Sequence, residues 1–123
     1  MLSATPARPS LHERLFMAVG LAMAIGLFFI GSEPGAGRLF HGRWHHVAHF
    51  VTFALFGAIW TLALPKVPAR HIAAGAVAFG FLHEGFEILG HMHAFELRDA
   101  LVNGVGAIVG ATCGWLLLRR AGA

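Results

Sequence analysis

Apolar residues dominate four stretches of the chain, and polar residues gather at particular edges of them. Residues 15–31 (LFMAVGLAMAIGLFFIG) carry no charge, 47–64 (VAHFVTFALFGAIWTLAL) hold only His49 as an ionisable group, 72–90 hold His83, Glu84 and Glu87, and 100–118 carry no charge. Each run is 17 to 19 residues long, and a helix rising ~1.5 Å per residue needs roughly 17 to 25 residues to cross hydrocarbon. Lipid gives bare backbone groups no hydrogen-bond partner, so a small chain crosses as helices or within a closed barrel. The alternating pattern of barrel strands is absent. The pattern predicts an all-α polytopic membrane protein: four transmembrane helices in an antiparallel bundle, one domain over residues 1–123.

Helical spacing places the polar groups on faces. His45 or His46 shares a face with His49, Phe53, Phe56 and Trp60; Glu84, Glu87 and His91 share another; Asp99, Asn103, Gly106, Gly110 and Gly114 form a third. The glycines of that last stripe allow a neighbouring helix to approach closely. Alternate crossings bring the polar heads of all three faces to one side of the bilayer.

Composition narrows the alternatives. Charged residues make up 12% of the chain and hydrophobic residues 57%, with a mean hydropathy of +0.69. That is too little charge to coat a water-soluble bundle. The nine Lys and Arg stand singly or in pairs beside the apolar runs, an anchoring pattern that argues against nucleic acid as a partner. With four crossings, one side receives Arg8, Arg14, Lys66, Arg70, Arg119 and Arg120, and the other Arg38, Arg43 and Arg98. Six against three puts both termini in the cytoplasm and the polar heads outside. The first run reads as a retained span, since GSEPGAG after it offers no small-x-small cleavage site. Cys113 is read as a small packing residue, and Trp44 and Trp115 as interfacial anchors. The connections GSEPGAGRLFHGR, PKVPAR and HMHAFELRD are short and turn-like, with Phe95 and Leu97 reaching the interface. His12, His41 and His71 read as surface residues.

Glu84 and Glu87 are the hardest residues to explain as filler. A charge at mid-bilayer costs ~3 kcal/mol on insertion scales, and two carboxylates a turn apart repel. Such groups need a partner, a proton or water, and His46, His49 and His93 are the expected partners.

The series His46-x-x-His49-Phe50, Glu84-x-x-Glu87 and His93-x-Phe95-Glu96-x-x-Asp99-x-x-x-Asn103-x-x-Gly106-x-x-x-Gly110 resembles the VanZ-like membrane proteins, whose namesake is associated with low-level teicoplanin resistance. That family reads Asp-Lys-x-x-His-Phe, then Glu-x-x-Gln, then Arg, then Asp-x-x-x-Asn-x-x-Gly-x-x-x-Gly. The likeness covers roughly residues 32–110. His49, Glu84, Asp99 and Asn103 match the pattern. His45 stands for its Asp, His46 for its Lys, Glu87 for its Gln and His93 for its Arg, so imidazoles replace fixed cations. The resemblance implies an envelope or antibiotic-sensitivity role in a bacterial inner membrane, with no settled reaction.

Three readings follow. In the first, His45, His46, His49, Glu84, Glu87, His93, Asp99 and Asn103 form an outward pocket for a lipid headgroup, an envelope precursor or an amphiphilic drug such as a glycopeptide. This reading needs no catalysis and no cofactor. Asp99 and Asn103 fix a helix end, His49 and Glu84 pair across spans, and His46 or His93 attracts an anion. In the second, His45 and His49, imidazoles four residues apart that can bind one ion, hold zinc or iron structurally or for hydrolysis, with Glu84, Glu87, His91, His93 and Asp99 available to complete the shell. In the third, the cluster is purely structural and seals the outer mouth of the four-helix bundle or its interface with a larger membrane complex or a second copy of the chain. Haem is disfavoured, since only His49 and His83 lie within spans. Walker-type, GxSxG, CxxC and HExxH motifs are absent.

Overall fold

The computed structural model describes residues 8–36, 39–91 and 94–122, with the side chain of His91 left out. The described chain is all-helical: α1 Leu11–Ser32, α2 Arg43–Ala63, α3 Ala69–His91 and α4 Leu97–Arg120. Each is long and apolar enough to cross a membrane, which marks the chain as a multi-pass membrane protein. The helices overrun the expected spans at most ends, because local signals set the boundaries and the apolar run does not. At α1 the Ser10 hydroxyl accepts from the Glu13 amide (3.2 Å) and the Glu13 carboxylate accepts from the Ser10 amide (2.9 Å). This capping box starts the helix four residues ahead of the uncharged run. Glu33 precedes Pro34 and is extended, with ψ 117°, since proline's ring disfavours helical geometry in the residue before it. Leu64, before Pro65, ends α2 in the same way. Gly42 takes φ +59° at the start of α2, a conformation other residues rarely adopt.

The interior joins a compact apolar core to a set of buried polar side chains, and the exterior is large and apolar. Leu27, Phe53, Phe56, Ala76 and Ala107 form the apolar core, whereas Leu21, Phe29, Val51, Leu82, Leu89, Val105 and Leu117 point outward. Water does not favour such an arrangement; lipid does. α2 and α4 make the closest seam. Gly106 lies on the backbone of Phe50, Gly110 on that of Ala54 and Gly114 on that of Ala58, while Gly57 in return lies on the backbone of Ala107. Thr61, buried in this seam, donates to the Gly57 carbonyl (2.9 Å). Its hydroxyl is therefore satisfied without a partner from another helix. On the other side Gly90 rests on the backbone of Gly31 and Ser32, and Gly31 meets His83 and Phe86. Cys113, expected to pack, is exposed; the three glycines Gly106, Gly110 and Gly114, spaced by four, occupy the contact face and leave it outside. Trp44 is 63% and Trp115 40% exposed, and Arg119 sits 4.8 Å over the Trp115 ring.

Candidate functional site

The glycine seam carries the first turns of α2 and α4 into register, and there the packing becomes polar. Asp99 is wholly buried and both its oxygens are used: His45 Nε2 donates to one at 3.0 Å and His46 Nδ1 to the other at 2.8 Å. One helical turn deeper, Asn103 is also wholly buried and joins three helices. Its Nδ2 donates to the Gly80 carbonyl and to Glu84 Oε1, each at 3.4 Å, and its Oδ1 faces His49 Nδ1 at 2.8 Å. The amide orientation decides the tautomer of His49. With Nδ2 assigned to two acceptors, Oδ1 must accept, so His49 donates from Nδ1, and its neutral ring carries the lone pair on Nε2.

That lone pair faces α3. His49 Nε2 is 4.0 Å from Glu87 Oε1, and His49 Nδ1 is 3.8 Å from Glu84 Oε1. His83, a turn before Glu87 on the same helix, brings its Nε2 to 3.3 Å from the Glu87 carboxylate. The imidazoles of His45, His49 and His83 form a column, with ring centroids 4.5 Å and then 5.9 Å apart, and Phe53 closes it below, 5.6 Å from His83. Each carboxylate of this nest faces an imidazole among the described residues, at 2.8 to 4.0 Å. Glu84 is 0% exposed, and its Oε2 has no hydrogen-bond donor among the described residues.

Seven of the residues singled out from the sequence therefore lie together: His45, His46, His49, Glu84, Glu87, Asp99 and Asn103. The eighth, His93, lies outside the described residues, as do the side chain of His91 and the whole of Arg38. One expectation changes. His46 partners Asp99 and not a glutamate, because it opens α2 level with the first turn of α4 while the glutamates lie a turn deeper. Asp99 and Asn103 bond to α2 and α3 at the start of α4, whose N-cap is Glu96 with no side-chain capping bond. Sequence reading missed His83, which is 3% exposed. The signal was its i, i+4 relation to Glu87, obscured because Glu84 and Glu87 alone defined the polar face of α3.

Above the nest a recess of about 580 Å³ is lined by Phe40, His41, Gly42, His45, His46, Glu96, Leu97, Arg98 and Asp99. It mixes imidazole, guanidinium and carboxylate groups with an apolar rim. Comparison of the chain with protein-family models, curated proteins and solved structures finds no match.

Proposed function

We propose that this chain is a VanZ-like protein of the bacterial cytoplasmic membrane that binds the charged head of an amphiphile without catalysing a reaction. In this reading the four helices cross as an antiparallel bundle with both termini cytoplasmic, so the nest opens outward. The recess over Asp99 carries the proposal. Glu96 and the imidazoles of His45 and His46, which Asp99 holds in place, offer sites for a zwitterionic head beside Arg98, while the exposed Leu39, Phe40, Trp44 and Leu97 offer the tail an apolar path. A lipid headgroup, a lipid-linked envelope precursor and an amphiphilic drug share this chemistry. Support for the orientation comes from the basic residues: Arg43 and Arg98 flank the nest, whereas Lys66 and Arg70 share a recess with Trp115 and Leu118 beside Arg119 and Arg120. Support for the family comes from His49, Glu84, Asp99 and Asn103, the residues that match its pattern and are among the most buried polar groups of the chain.

The test is a deletion strain complemented with wild type, Glu84→Ala or Asp99→Ala. Deletion should change sensitivity to a glycopeptide or a detergent, wild type should restore it, and neither variant should. Unchanged sensitivity across all four strains would refute the reading. For orientation, a Cys113→Ala background carrying Leu39→Cys should react with a membrane-impermeant thiol reagent on intact cells, and one carrying Val67→Cys should not.

A further inference from the structure

We propose that the floor of the nest is a site for one divalent transition-metal ion, held between α2 and α3 by His49, Glu84 and Glu87. The inference goes beyond headgroup binding, since it concerns the buried floor and not the recess above it. One ligand atom from each residue lies within 4.8 Å of the others, so modest side-chain rotation brings all three around one ion. Three observations point the same way. First, the Asn103 amide directs the His49 lone pair toward the glutamates, and a metal-bound histidine characteristically donates its other ring N–H to an acceptor; here that acceptor is Asn103 Oδ1 at 2.8 Å. Second, Glu84 Oε2 is fully buried and without a donor among the described residues, a position that a cation would satisfy. Third, His83 beside Glu87 and Asn103 beside Glu84 orient both carboxylates from outside the triad.

Charge and ligand type set the class of ion. Two carboxylates removed from water repel each other, and a 2+ ion neutralises both. One imidazole and two carboxylates, with no thiolate, suit zinc, manganese or iron(II), while magnesium and calcium favour all-oxygen shells. A second triad, His45, His49 and Asp99, is also within reach of one ion. Both oxygens of Asp99 are already committed to His45 and His46, and His49 has one lone pair to give, so the glutamate triad is the better site.

The experiment uses the full chain in mild detergent, stripped with a chelator, exposed to zinc, manganese or iron(II) and desalted before elemental analysis and thermal unfolding. About one equivalent of one of these metals per chain and a raised Tm are expected. Glu84→Gln and Glu87→Gln, close in shape to the native residues, should each weaken that metal's affinity at least ~10-fold, while Asp99→Asn and His45→Gln keep it within about threefold. Circular dichroism of the stripped forms identifies any variant that fails to fold, and the other glutamine variant then gives the reading. Substoichiometric metal in wild type overturns the proposal. So does metal retained by both glutamine variants, which would mark surface histidines as the ligands, or metal lost only with Asp99→Asn and His45→Gln. Because the readout is stoichiometry in purified protein, its failure is distinct from an unchanged envelope phenotype.

Discussion

The contact between α2 and α4 has two halves built on opposite chemistry. In the first turns, His45, His46 and His49 face Asp99 and Asn103 through hydrogen bonds of 2.8 to 3.0 Å. In the rest, Phe50, Ala54 and Ala58 face Gly106, Gly110 and Gly114 with backbone against backbone. Lipid supplies little hydrophobic drive between helices, so association depends on close packing and on polar bonds. The glycine half supplies the closeness, and the polar half supplies direction. A slide of the two helices by one turn would keep glycines near the backbone but would part all three imidazoles from their acceptors.

Disturbing the glycine half should have the largest effect. A Cβ at Gly110 would overlap the Ala54 carbonyl, so Gly110→Leu must push α4 off α2. Overpacking costs ~1–3 kcal/mol, occasionally more, and loss of monodispersity in detergent or a fall in Tm at that level is expected. A variant as stable as wild type would show that the seam is not as close as described.

The polar half should be less costly to disturb, and the cost should depend on shape. Asp99→Ala leaves two imidazoles without their acceptor, whereas Asp99→Asn keeps one acceptor and the volume. Interhelical hydrogen bonds in membranes are worth ~0.6 kcal/mol on average and up to ~1.7, so Asp99→Ala should lose about 1–2 kcal/mol, and Asp99→Asn less. Equal losses would mean that packing, not bonding, sets the value of the site. A double-mutant cycle sharpens the point: His49→Ala and Asn103→Ala should couple by ~0.5 kcal/mol or more, while His46→Ala and Gly114→Ala should add independently. Smallest of all should be Gly75→Ala. It meets nothing within 4 Å, and removing a helical glycine should raise stability by up to ~1 kcal/mol.

Much of this was legible in the residues. The stripe of Asp99, Asn103, Gly106, Gly110 and Gly114 is buried throughout, and on α2 His49, Phe53 and Phe56 are buried and Trp60 half-buried. A period of 3.6 is a local property, and each face follows from it directly. Helix ends were less legible, since uncharged length does not reveal a capping box at Ser10 or a helix that opens on Ala69 just after Pro68. The partner of each imidazole was the least legible. His46 and Asp99 are 53 positions apart, and nothing local distinguishes Asp99 from Glu84 as its acceptor.

Composition, run length and helical period thus set the number of crossings, their inward faces and the small-residue seam, because each depends only on neighbours along one helix. Which carboxylate meets which imidazole, the role of Asn103 as a link among α2, α3 and α4, and the inclusion of His83 depend on the relative height of separate helices. That height is governed by how deeply Gly106, Gly110 and Gly114 let one backbone settle on another, a quantity that exists only once the helices are packed.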